Sequence, residues 1–216
     1  MAPRPEDHVL DVGSGLGGAS RYVASAIGCR VTGIDLTPEY VAAAQELARR
    51  SGLAGRVSYV VASALAMPFE ARTFDAALTM HIAMNIRDRS GLYREIARVL
   101  KPGAPFCLFD VMRGEAGEVA FPVPWAETPA TSHLTTPQEM QALLRDGGFE
   151  VREIEDRTAF ALDALREGAR AAAAGAPPPG PAIVMGASAP AKLRNVRASL
   201  ESGAIVPVLM VARRAA

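Results

Sequence analysis

The 216-residue chain predicts an α/β fold in which a largely parallel sheet is covered by helices on both faces. Three observations carry that expectation. Short apolar runs end abruptly at turn residues, as strands buried on both faces do. Segments of helical period separate those runs, which is the alternation that builds βα units. A glycine-rich turn, Gly13-Ser14-Gly15-Leu16-Gly17-Gly18, follows the first run directly, and Gly33-Ile34-Asp35 closes the second.

In order, the apolar runs predict strands at residues 8–12, 30–35, 57–61, 76–80, 105–110, 150–156 and 206–212. Helical periodicity predicts helices at 18–27, 38–51, 90–100 and 137–147. Thr37-Pro38 and Thr136-Pro137 open two of them as cap and first-turn proline. Gly52, Gly103 and Gly147 punctuate far ends. Residues 169–190 turn to alanine, glycine and proline, stiffest at Pro177-Pro178-Pro179, and cannot bury enough surface to be core. They are expected as a loop or lid over the carboxyl edge of the sheet, or as a plain surface loop, before a polar helix at 191–202.

Length fits one domain, 1–216, with an insert at about 168–204. Basic and acidic residues number 23 each, which provides no electrostatic footprint for nucleic acid. No stretch approaches the length and apolarity of a membrane span, and the amino terminus has no signal-peptide core. Cys29 and Cys107 fall in or beside predicted strands and are expected as packing thiols in a reducing cytoplasm. His8 and His133 have no partners at metal-ligand spacing, so no metal site is expected.

Glycines let backbone approach a ligand, and a carboxylate ending the second strand is placed to accept ribose hydroxyls, so Gly13, Gly15 and Asp35 predict a nucleoside cradle. Spacing alone does not name the nucleotide, because both GxGxxG and GxGxG are satisfied. Asp11 bears on the choice. It stands about where a pyrophosphate would pack, and two like charges roughly 4 Å apart repel by about 4 kcal/mol at an effective dielectric near 20. A guest carrying a sulfonium and an ammonium, S-adenosylmethionine (SAM), reverses that sign. A dinucleotide, and a glycine turn without a ligand, stay open as alternatives.

With these residues in place, the chain resembles the class I SAM-dependent methyltransferases. Phe74-Asp75-Ala76-Ala77 looks like their entry to the fourth strand, Arg98-Val99-Leu100-Lys101-Pro102-Gly103 like the helix end before the fifth, and Met67-Pro68-Phe69 like the turn after the third. A narrower likeness is to the small-molecule N-methyltransferases acting on sarcosine and dimethylglycine. It runs through Leu78-Thr79-Met80-His81-Ile82-Ala83-Met84-Asn85-Ile86, Phe121-Pro122-Val123-Pro124-Trp125-Ala126 and Met185-Gly186.

The resemblance implies a Rossmann-like sheet of seven strands with an antiparallel last strand. It implies SAM held by Asp11, Gly13, Ser14, Gly15, Asp35, Leu36, Ser63, Ala64 and Met80, and a small-molecule acceptor, first the nitrogen of a small amino acid or amine of the glycine, sarcosine or dimethylglycine kind and next the oxygen or carbon of a natural-product or quinone-like ring. His81, directly after the fourth strand, is the candidate general base or acceptor-orienting contact. Asp110 and Arg113 are candidates to orient an acceptor's ammonium and carboxylate, and Trp125 to supply an aromatic wall for a quaternising amine. A capping or wall histidine, a surface ion pair and an apolar plug are the plainer roles for these residues. A homodimer stays open, as do a SAM-binding module without activity and an NAD-dependent oxidoreductase.

Two departures accompany the likeness. Ser63 stands where relatives carry a carboxylate for the adenine amino group, which predicts looser adenine binding. Relatives also begin with several dozen residues of helix over the site, whereas this chain starts almost at the first strand. A shortened product, a partner chain or the 169–190 insert is then expected to account for the missing cover.

Overall fold

Residues 3–175 and 182–216 are described by a computed structural model. Seven strands form one sheet: β1 (His8–Val12), β2 (Arg30–Asp35), β3 (Val57–Val61), β4 (Ala76–Met80), β5 (Pro105–Arg113), β6 (Phe149–Asp156) and β7 (Ile205–Arg214). Their spatial order is β3-β2-β1-β4-β5-β7-β6. Pairings from β3 through β5 are parallel, and β7 runs antiparallel between β5 and β6. The sheet order reverses between β1 and β4, so a crevice opens there at the carboxyl ends of the strands.

Helices α1 (Gly18–Ile27), α2 (Pro38–Arg50), α3 (Arg89–Val99) and α4 (Pro137–Asp146) fall within a residue of the sequence expectation at each end. At α4 the capping box predicts itself: Thr136 accepts the amide of Glu139, whose carboxylate accepts the amide of Thr136. Alternation along β1 divides the core. Leu10 and Val12 join Phe74, Leu92, Ile96, Phe106 and Leu144 on one face, while Val9 joins Ala24, Val31, Ala44 and Tyr59 on the other. Asp11 therefore points with Val9 toward α1. This alternation decides the environment of the first carboxylate of the site.

Beyond β6 the sequence expectation is corrected. Helix α5 (Thr158–Ala173) occupies a stretch for which no helix was expected, including part of the supposed 169–190 loop. Asp156 accepts the amide of Thr158 at its start, and alanine, leucine and arginine favour helix without needing a core. It buries no residue, as the composition suggested. The triple proline Pro177-Pro178-Pro179 lies outside the described residues. A short helix α6 (Ala182–Met185) and a 3₁₀ turn (Gly186–Ser188) lead into α7 (Ala189–Glu201), which begins two residues earlier than expected.

The α7 helix meets the segment after β5. Asn195 donates to the Pro122 carbonyl at 2.9 Å, Lys192 pairs with Glu127 at 2.5 Å, and Ser199 accepts the Ala120 amide at 3.3 Å. Because β7 starts opposite Arg113, at the carboxyl end of β5, this packing lies on the crevice side of the sheet. Among the described residues no helix is long and apolar enough to cross a membrane.

Candidate active site

The glycine turn is built by backbone bonds to the neighbouring strand. Gly13 and Ser14 both donate to the Ile34 carbonyl, at 2.9 and 2.8 Å, and Gly17 donates back to Ser14 at 2.8 Å. Gly13, Gly15 and Gly17 all have positive φ, the region open to glycine at little cost. Tyr59 of β3 backs the turn, its hydroxyl donating to the Gly17 carbonyl at 3.2 Å. Sequence reasoning missed Tyr59; the signal was a large aromatic on β3 registered opposite Gly33 of β2.

Asp35 ends β2 as expected and is the hinge of the cradle. One carboxylate oxygen accepts the Gly15 amide at 2.8 Å and the other the Thr37 amide at 2.9 Å. Each oxygen keeps a further lone pair for a ligand. Leu36, 73% exposed, and Met80, 46% exposed, present bare apolar surface at the carboxyl ends of β2 and β4, on either side of β1. Half-buried Ser63 spends part of its acceptor capacity on the Leu65 amide, at 3.2 Å, and Ala64 is half-buried beside it. The Ser14 hydroxyl is buried without a partner, packed against the bare Cα of Gly33.

Asp11 corrects the sequence reading. It was expected to face a cationic guest, but it is 1% exposed and folded beneath the turn, where Ser20 of α1 donates to it at 2.6 Å. Burial raises its pKa to about 6, against the Ser20 hydrogen bond, with Asp35 nearby adding to the rise.

His81 follows β4 in the left-handed region, φ 58°, which is uncommon for a residue with a side chain. Its amide donates to the Phe109 carbonyl at 2.9 Å, and its ring lies tilted on the Phe109 ring, centroids 4.9 Å apart. The ring is reachable from solvent, yet the wall crowding it strips hydration and holds its pKa below the usual 6.5. At neutral pH it is an uncharged imidazole, able to accept a proton.

Two of the three expected acceptor contacts are committed elsewhere. Asp110 is fully buried, because β5 continues past it to Arg113 and its position in the alternation points inward. Burial raises its pKa to about 7, opposed by the Ala83 and Ile82 amides and the charge of Arg89. Arg113 pairs at 3.0 Å with Glu139 in the first turn of α4. Trp125 is half-buried and donates to Ser132 at 2.9 Å, in a segment that also reaches the 3₁₀ turn after β4 through the His133 amide and the Met84 carbonyl.

The two buried carboxyls set a pH dependence of stability. Their folded pKa values, about 6 and about 7, lie above the unfolded value of 3.8, so folding favours their protonated forms. The stability they confer is complete below the unfolded value and is lost as pH rises through 6 and 7, by roughly 3–4 kcal/mol for each. Exposed carboxylates such as Glu139, held low by the Thr136 amide, act the opposite way only in stronger acid. Thermal melts of the ligand-free protein are expected to rise from pH 8 to pH 5.5; a flat or inverted profile would contradict this burial.

Comparisons with known proteins agree with this geometry. A family model described as "Methyltransferase domain" matches residues 10–108. The O-methyltransferase resE of Aspergillus sclerotiorum is 33% identical over 154 residues, covering 69% of this chain and 57% of its own. A sarcosine/dimethylglycine N-methyltransferase of Halorhodospira halochloris is 29% identical over 154 residues, covering 71% and 55%. The chain thus spans little more than half the length of these relatives. Among solved structures, the [4+2]-cyclase SpnF superposes with a TM-score of 0.79 at 27% identity, over 98% of this chain and 76% of that one.

Proposed function

We propose that the chain is a class I SAM-dependent methyltransferase and that it methylates a small-molecule amine with an apolar body, His81 receiving the proton that the nitrogen sheds. One observation carries this reading. The glycine turn hinged on Asp35 and the uncharged His81 stand at the ends of neighbouring strands on either side of the β1/β4 reversal.

The residues present fit SAM. Positive-φ glycines leave room for a nucleoside, the free lone pairs of Asp35 suit two ribose hydroxyls, and Leu36 and Met80 offer apolar surface for the adenine and the thioether chain. Ser63 and Ala64 would border the adenine amino group. When bound, SAM supplies a methyl group on a sulfonium that departs as a neutral thioether. The protein therefore has no leaving anion to stabilise, and its work is alignment, exclusion of water and removal of a proton.

Burial of Asp110 and pairing of Arg113 with Glu139 withdraw the charges that would grip a zwitterionic amino acid. What remains beside His81 is the Phe109 ring and Met80, which suits an aromatic or aliphatic body better than glycine or sarcosine. The same observation favours a second reading, methylation of a phenolic oxygen, since such an acceptor also sheds one proton and needs no charged anchor. The N- and O-methyltransferase relatives support one reading each. The α5–α7 insert is proposed as part of the cover over the site.

Titration calorimetry with SAM and NAD, followed by mass spectrometry of products from arylalkylamines, catechols, sarcosine and dimethylglycine, tests this. SAM binding and a product about 14 Da heavier than the arylalkylamine are expected, a methyl replacing hydrogen. Binding of NAD instead, or product only from sarcosine and dimethylglycine, overturns the reading. Asp35→Ala is expected to weaken SAM by about 1.5–3 kcal/mol, the range for a hydrogen bond to a charged group.

A further inference from the structure

We infer that Asp110 is a positioning residue, acting through the His81-Ile82-Ala83 backbone strap that it holds between β5 and the glycine turn. The inference rests on the proposed role of His81 and adds what keeps that ring in place.

A fully buried carboxylate must find donors. Asp110 finds one in backbone: its Oδ2 accepts the Ala83 amide at a long 3.4 Å, and the neighbouring Ile82 amide is close enough to favour its charged form. An aspartate retained for an ion pair would instead bond Arg89, the buried cation whose charge it feels. Yet Asp110 Oδ1 and Arg89 Nε are both buried without a partner, and among the described residues Asp110 forms no ion pair. Its hydrogen bond goes to the strap.

The strap needs holding because His81 stands in the left-handed region, at a cost of roughly 1–2 kcal/mol for a residue with a Cβ. Released, the backbone relaxes to negative φ and carries the imidazole away from Phe109. Three ties oppose this: the His81 amide on the Phe109 carbonyl at 2.9 Å, Asn85 Nδ2 on the His81 carbonyl at 3.5 Å, and the Ala83 amide on Asp110 at 3.4 Å. At its other side the strap presses Ile82 onto the bare Cα of Gly13, its Cγ2 only 2.3 Å from where a Cβ would stand. Asp110 thus underlies a contact, through Ile82, that joins the His81 segment to the cofactor turn.

The test compares Asp110→Asn, which keeps an acceptor oxygen for the amides, with Asp110→Leu, which does not, in ligand-free and S-adenosylhomocysteine-bound protein. In the wild type and Asp110→Asn, a nuclear Overhauser contact between the His81 and Phe109 rings is expected, with S-adenosylhomocysteine affinities within about threefold of each other. In Asp110→Leu the contact is expected to vanish and the affinity to fall about tenfold, within the range of coupling through packed contacts. Retention of both in Asp110→Leu, or loss of either in Asp110→Asn, overturns the inference. Should the leucine variant not fold, hydrogen exchange in the wild type decides: slow exchange at Ile82 and Ala83 supports the strap, and exchange at free-loop rates refutes it. The ring contact is read without turnover, so a failure of the His81 proposal is distinguishable from a failure of this one.

Discussion

His81→Ala is expected to lower the turnover of methyl transfer by about 10²–10⁴-fold, the usual contribution of a positioned acid or base, while leaving SAM affinity nearly unchanged. The imidazole is uncharged at neutral pH, reachable from solvent and braced on Phe109, so it meets the requirements of a proton acceptor at a fixed point. The backbone at this position sharpens the test. Because φ is 58°, His81→Gly relieves strain rather than adding it, and that variant is expected to melt no lower than the wild type. Activity lost with stability kept is the signature of a residue strained for function. A glycine variant of wild-type turnover would remove His81 from the chemistry.

The second large effect separates two glycines that the sequence pattern alone cannot tell apart, Gly13 and Gly15. Both have positive φ, 76° and 53°. A Cβ on Gly13 would meet Ile82 Cγ2 at 2.3 Å, whereas one on Gly15 would meet nothing within 4 Å. Gly13→Ala is therefore expected to cost about 2–4 kcal/mol in stability, strain and overpacking together, and to dislodge Ile82 from the turn. Gly15→Ala is expected to cost only about 1 kcal/mol in stability, from its backbone alone, yet to weaken SAM more than tenfold, since its methyl projects into open space beside Asp35. Urea melts and calorimetry on the two variants read these separately. Equal stability losses would mean that Ile82 does not pack on Gly13.

Much of the fold was legible because it rests on local regularities. Strand runs, helical periods, the proline-led caps at Thr37 and Thr136 and the glycine turn are all written within a few residues of one another, and each element formed within about three residues of its expected ends. Helix α5 escaped for a physical reason: it buries nothing, so it carries no apolar stripe, and its alanines were weighed as poor core rather than as good helix formers. Tyr59 and Ile82 escaped because each matters through a partner distant in the chain.

What the sequence by itself determined is the sheet, the turn at Gly13–Gly17 and the placing of Asp35 and His81 at strand ends, since period and glycine chemistry act over a few residues. Only the tertiary structure decided which way the carboxylates face. One residue of alternation sends Asp11 beneath the turn to Ser20 and Asp110 under the strap to Ile82 and Ala83, and leaves Asp35 open. Side-chain direction, and with it burial and charge, depends on what the other strands and helices place on each face, and no local pattern contains that.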